Sequence, residues 1–182
     1  MIDLVVYGDF NCPFSALASE RVDELERRGI AAVEWRAVEH DRGIPAAGVE
    51  ISGDVAQMLT DELAQIRGLL VRGEPDRLQL PIRQVNTRLA ITRYAGTPNE
   101  SRPELRHEIF ASHWQRAERI DDAVVLDDLG AGPANNVAAE EWRAAWQAAT
   151  DPIGWTARLR LGPMMPDRLR PCAVAAWPAS RR

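Results

Sequence analysis

Residues 4 to 28 constrain this chain more than any other stretch. Leu4-Val5-Val6-Tyr7 is an apolar run rich in β-branched residues that stops at Gly8-Asp9, so it reads as a buried strand delivering its end to a tight turn. Pro13 suits the first position of a helix, where its fixed φ is already helical and its missing N–H would have had no partner. Leu17, Val22 and Leu25 then recur at helical spacing, with acids and arginines on the opposite side and Gly29 at the end. Cys12 is therefore expected to cap that helix.

A thiol in this place meets unpaired backbone N–H groups and the positive end of the helix dipole, both of which favour the thiolate form. Cys12 is accordingly expected to be a nucleophile. Ser15, one turn on, offers a hydroxyl donor to the same sulfur. The competing reading makes Cys12 a small core residue and nothing more.

The segment Asp9-Phe10-Asn11-Cys12-Pro13-Phe14-Ser15 after a first strand resembles the DsbA-like branch of the thioredoxin superfamily. The resemblance is to its FrnE-type members in particular, whose active site reads Asp-Phe-x-Cys-Pro-Trp-Cys. The related kappa-class glutathione transferases and 2-hydroxychromene-2-carboxylate isomerases carry Ser in place of the first Cys. A second stretch, Asn86-Thr87-Arg88-Leu89-Ala90, then Glu108 to Trp114, Arg119 to Asp122 and Val125-Leu126, is similar to the helical insertion of the same branch. The resemblance spans about residues 3 to 150. It implies an α/β thioredoxin-like fold in one domain, with a helical insertion over about 54–129 and C-terminal strands that are incomplete or atypical. This chain departs from the oxidoreductase pattern at Ser15, where the second cysteine would stand. A monothiol can attack a disulfide but cannot resolve the mixed disulfide from within the motif.

At 182 residues the chain is long enough for one domain with a real core. A net charge of -5 and the absence of a basic stripe interleaved with aromatics argue against nucleic acid as a partner. All 22 positive residues are arginine; these would serve an anionic substrate if several converged, which the sequence does not show. The first strand begins at once after Met1-Ile2-Asp3, so a cytoplasmic location is expected. No apolar run approaches the ~20 residues of a membrane span, so no membrane association is expected. Cys12 and Cys172 stand too far apart in a lone pair to form a framework of disulfides.

Alternation through Val33, Trp35 and Val38 predicts a second strand over Ile30 to Val38, parallel to the first and joined to it by the helix between them. His40 follows at the carboxyl end of that strand, where ligands of open α/β sheets lie; it reads as a loop residue, with a catalytic base as the alternative. Asp54 is the expected cap of a helix over Val55 to Arg72, whose Val, Met, Leu and Ile stripe is ordinary core. Further helices are predicted up to Tyr94 from Asn86 or a little before, over Pro103 to Arg119, over Val124 to Leu129 and over Ala138 to Ala149. Asn86 either caps its helix or, by the resemblance, lines the cleft beside Thr87. His113, beside Trp114, is read as half-buried with a backbone partner, the alternative being a donor to a bound thiol.

By the resemblance a cis proline should face the active-site cysteine ahead of the later strands, and an extended substrate could pair with its exposed backbone. The candidates are Pro152, Pro163 and Pro166, of which Gly162-Pro163-Met164-Met165 is most similar to the family pattern. Thr156 to Leu161 and Cys172 to Trp177 are candidate edge strands, with prolines nearby. From about residue 155 the chain is a basic tail of Arg, Ala, Pro and Trp, unlike the acid-rich sequence before it. Cys172 reads as a stray thiol, with a resolving role as the alternative.

These features predict a cytosolic thiol–disulfide oxidoreductase or isomerase of DsbA-like type. Cys12 and Ser15 would be its catalytic residues, and Pro13, Phe14, Asn86 and Pro163 would stand on the substrate side. The expected partner is a thiol or disulfide substrate. Glutathione would enter as a co-substrate, no cofactor is tightly bound and no metal is involved; a homodimer is compatible with this. One alternative is a glutathione-dependent transferase or isomerase in which Ser15 holds the thiolate of bound glutathione. Another is a non-catalytic thioredoxin-like binding module.

Overall fold

A computed structural model of the chain describes residues 2–150 and 175–178. Strand β1 (Ile2–Gly8) leads through helix α1 (Pro13–Arg27) into strand β2 (Ala31–Ala37). The two strands pair in parallel from Ile2 opposite Ala31 to Gly8 opposite Ala37, as the strand–helix–strand reading predicts. On its other side β1 pairs antiparallel with a short strand, β5 (Ala175–Pro178), so the sheet runs β2-β1-β5. A central strand flanked on both edges explains why Leu4 to Tyr7 is apolar without alternation. Strand β5 overlaps the edge strand expected over 172–177. The expected strand over Thr156 to Leu161, the candidate prolines Pro152, Pro163 and Pro166, and Cys172 all lie outside the described residues.

Between β2 and the last helix of the described residues stands a helical segment. It holds α2 (Gly53–Leu69), α3 (Arg88–Ala95), α4 (Arg102–Trp114) and α5 (Ala123–Asp128), followed by α6 (Asn136–Thr150). A two-residue ladder, β3 (Val49–Glu50) against β4 (Arg83–Gln84), ties the two ends of the α2 region together. Among the described residues no helix is long and apolar enough to cross a membrane.

Several boundaries differ from the sequence reading for local reasons. Helix α2 starts at Gly53 behind Ser52 rather than behind Asp54, and it stops at Leu69 because Leu70 turns to extended geometry. Helix α4 ends at Trp114, not Arg119: Gln115 N and Arg116 N both turn back to Ala111 O, and Ala117 adopts φ 54. The Ser112 hydroxyl and the Arg116 guanidinium then hold Glu118 across that turn at 2.7 and 2.9 Å. Left-handed backbone costs an L-residue about 1 kcal/mol. Ala117→Gly should therefore raise stability by up to about 1 kcal/mol, read as a higher urea midpoint with an unchanged slope.

The core gathers on the helical side of β1. Phe10 is fully buried and meets Phe110 edge-on at 5.1 Å and Tyr94 at 5.8 Å, while Trp35 meets Phe110 at 5.9 Å. Arg106 reaches into this core from α4, its Nε donating to Ser19 Oγ at 2.9 Å and its guanidinium lying 5.1 Å from the Trp35 ring, with Asp23 as its ion-pair partner. Gly8 has a steric reason: a Cβ there would stand 2.4 Å from Trp35 and 3.0 Å from Ser15 Oγ. Only glycine lets the sheet close over the indole at the point where β1 hands the chain to the Cys12 turn.

Candidate active site

Cys12 occupies the N-cap of α1 with φ -98 and ψ 118, Pro13 opens the helix, and the Cys12 carbonyl accepts the first helical bond from Ala16 N at 3.1 Å. The amides of that first turn have no carbonyl of the helix to bond and face the cap. The sulfur is covered: Cys12 is 1 % exposed and shares a buried cluster with Phe14, Leu17 and Ile66, against which Leu69, Leu70 and Leu78 pack. The thiol thus sits at the helix cap that the sequence predicts and inside an apolar cluster at once.

Asp9 organises the turn that presents the thiol. It is 3 % exposed, and its carboxyl accepts three hydrogen bonds: from Asn11 N at 3.1 Å, from Thr87 Oγ1 at 2.9 Å and from His40 N at 2.7 Å. Its carbonyl accepts from Cys12 N at 3.0 Å, and its own N–H donates to Ser15 Oγ at 3.3 Å. Three separate parts of the chain are thereby tied to one side chain. Two further anchors hold the same turn, Trp114 Nε1 donating to Phe10 O at 2.8 Å and Asn11 Nδ2 donating to Val85 O.

The predicted residues fall into place unevenly. Cys12, Pro13, Phe14 and Ser15 come together at the start of α1. Ser15 is fully buried and its hydroxyl is engaged by Asp9 N, so it braces the turn. Asn86 stands one residue ahead of Thr87, which is the N-cap of α3 in place of the expected Asn86; its Oδ1 accepts from Arg88 N at 3.0 Å while its Nδ2 donates to Ile44 O at 2.7 Å. Thr87, its neighbour, reaches Asp9 beside the thiol turn. Pro163 lies outside the described residues.

His40 stands at the end of β2 with its ring stacked on Trp146 at 5.2 Å. Neither ring nitrogen has a hydrogen-bond partner, and burial pushes its pKa down against the pull of the Asp9 charge. His113 is buried beside Trp114, and burial lowers its pKa to about 4, opposed by a backbone hydrogen bond at Glu118. It is a core histidine, more deeply buried than the half-buried residue the sequence suggests. Among the described residues no group of three or more His, Cys, Asp or Glu could hold a metal ion.

Two residues escape the sequence reading. Asp9 was visible only as part of a motif, since its partners Thr87 and His40 are far off in sequence. Glu62 lies on the apolar stripe of α2 between Leu59, Leu63 and Ile66, and an acid on such a stripe was the signal that marked it. It is 2 % exposed, and burial raises its pKa to about 7.

Glu62 and His113 pull acid stability in opposite directions. The buried His113 binds its proton only near pH 4 where the unfolded chain binds it near 6.5, so its contribution is lost as pH falls through that interval. Glu62 holds its proton up to about pH 7 in the fold but only to about 4.5 when unfolded, so its contribution is lost as pH rises through that interval. In Glu62→Gln the second effect disappears. Measured by urea unfolding, this variant should lose less stability than the parent chain between pH 4.5 and pH 7.

Comparison with known proteins bears on the family and the fold. The family model described as "DSBA-like thioredoxin domain" matches residues 3–151. No curated protein sequence matches the chain. Among solved structures, that of selenomethionine 2-hydroxychromene-2-carboxylate isomerase is similar, with a TM-score of 0.55 and 23% identity over 81% of this chain and 79% of that one. At that identity the likeness is one of fold.

Proposed function

Because the chain belongs to the DSBA-like thioredoxin domain family, we propose that it acts as a monothiol thiol–disulfide oxidoreductase or isomerase with Cys12 as its nucleophile. The observation that carries this reading is the position of the sulfur: Cys12 caps α1 on a turn tied down by Asp9, Trp114 and Asn11. Negative charge developing on the sulfur meets the amino end of a 15-residue helix. In the reaction, the Cys12 thiolate attacks one sulfur of a disulfide R–S–S–R′, forming Cys12–S–S–R and releasing R′–S⁻. No second cysteine follows in the motif, so a thiol from glutathione or from the substrate must attack the mixed disulfide to free Cys12. This favours isomerisation and deglutathionylation over net oxidation. Entry of the substrate requires the apolar cover over the sulfur to part.

A second reading, a glutathione-dependent isomerase, draws on the fold it shares with the chromene-carboxylate isomerase. In that reading Ser15 would have to hold the thiolate of bound glutathione, yet its hydroxyl is fully buried and engaged by Asp9 N. A third, a binding module without catalysis, draws on the burial of the sulfur. Titration with reduced and oxidised glutathione separates the three. A mixed disulfide at Cys12 that thiols release supports the exchange reaction. Saturable non-covalent binding that survives Cys12→Ser supports the isomerase, and neither result leaves the binding module.

A further inference from the structure

Three arginines meet in a cleft of about 600 Å³ formed by the end of α2, the loop behind it and the residues that follow α4. Arg67, Arg77 and Arg116 line it together with Gln79 and Gln115. Two of the guanidiniums are answered from within the chain: Arg67 pairs with Asp76 at 2.9 Å, and Arg116 pairs with Glu118 at 2.9 Å and Glu108 at 3.2 Å. Arg77 is exposed, and among the described residues it makes no ion pair or hydrogen bond. The side-chain amides of Gln79 and Gln115 make no hydrogen bond among those residues either.

The cleft backs onto the thiol. Leu78 lines it and also packs against the cluster of Cys12, Phe14, Leu17 and Ile66. Ile66 of that cluster directly precedes Arg67 on α2. From the loop, Gln79 N donates to Trp114 O at 2.8 Å, and the indole of the same Trp114 holds Phe10 O, two residues ahead of Cys12. Leu78 is thus shared between the cover of the sulfur and the arginine-lined cleft.

A guanidinium whose N–H donors are all unused is matched by a carboxylate, which accepts two of them side by side. Primary amides beside it suit the N–H and C=O groups of a peptide. An extended peptide of three residues reaches about 10 Å, enough to cross the breadth of one leucine. We propose that this cleft selects acidic peptide disulfides as substrates: Arg77 takes a carboxylate a few residues from the disulfide, Gln79 and Gln115 take the peptide backbone, and the disulfide meets Cys12 where the cover parts beside Leu78. The proposal rests on the exchange reaction inferred above and names its substrate class; the bonds that break and form are the ones already given.

The test is exchange between the full chain and two disulfide-linked peptides at low ionic strength, Cys-Gly-Glu and its neutral counterpart Cys-Gly-Gln, each blocked at both ends. The parent should favour the acidic peptide by about fivefold in kcat/KM, the preference should shrink as salt is added, and Arg77→Gln should bring it close to one. Arg72→Gln, which removes an exposed arginine outside the cleft lining, should keep it. Equal rates for the two peptides in the parent, or a preference that survives Arg77→Gln, would overturn the proposal. If the parent exchanges neither peptide, the reaction inferred above fails, and binding of the same peptides with S-methylated cysteine, followed through the NMR signals of the Gln79 and Gln115 side-chain amides, decides the cleft's role by itself. Tighter binding of the acidic peptide that Arg77→Gln abolishes supports it, and equal binding or none overturns it.

Discussion

A Cys12→Ala chain should lose disulfide exchange by roughly two orders of magnitude or more, while its unfolding midpoint stays near that of the parent. The expectation follows from chemistry: without the sulfur no mixed disulfide forms, and the other cysteine of the chain, Cys172, stands in a different part of the sequence. Alanine leaves the backbone of the turn intact, because the bonds that hold it run through Asp9 O, Cys12 N and Cys12 O and survive the substitution. Ser15→Ala removes only the acceptor for Asp9 N, so exchange should slow without stopping. The contrast between the two variants, read with a glutathionylated peptide as substrate, separates a nucleophile from a brace.

Asp9→Ala should lower stability by about 4 kcal/mol. Three donors, Asn11 N, Thr87 Oγ1 and His40 N, end on this one buried carboxyl, and alanine leaves all of them without an acceptor in the protein interior. The loss is larger than that of a single hydrogen bond because one carboxyl satisfies three donors, two of them from parts of the chain distant in sequence. Asp9→Asn keeps one acceptor oxygen and should cost about half as much. Equilibrium unfolding in urea checks both values, and exchange at Cys12 should weaken in step as the turn loosens.

Much of this arrangement was legible in the residues. The apolar run Leu4 to Tyr7, the Gly-Asp stop, and a cysteine followed by proline place a thiol at a helix start through purely local rules, and the structure puts Cys12 there. The parallel pairing of β1 with β2 followed from the helix between them. Other features depend on contacts that no local pattern carries. The role of Asp9 needs Thr87 and His40, and the end of α4 at Trp114 needs the turn at Ala117 and its bond network around Glu118. The cover of Phe14, Leu17 and Ile66 over the sulfur needs α2 to lie on α1, which amphipathic spacing in each helix allows but does not fix. The convergence of arginines that an anionic substrate would call for is not seen at this turn, where Asp9 is bonded by backbone amides and a threonine.

The central claim is that the fold makes Cys12 reactive. Brief exposure of the native chain and of the urea-unfolded chain to isotopically labelled glutathione disulfide, followed by peptide mass mapping, measures this directly. The prediction is one glutathionyl group on Cys12 that forms faster in the native chain than in the unfolded one. A Cys12 that stays unmodified until the chain unfolds would contradict it, and would leave the buried sulfur as a piece of the core.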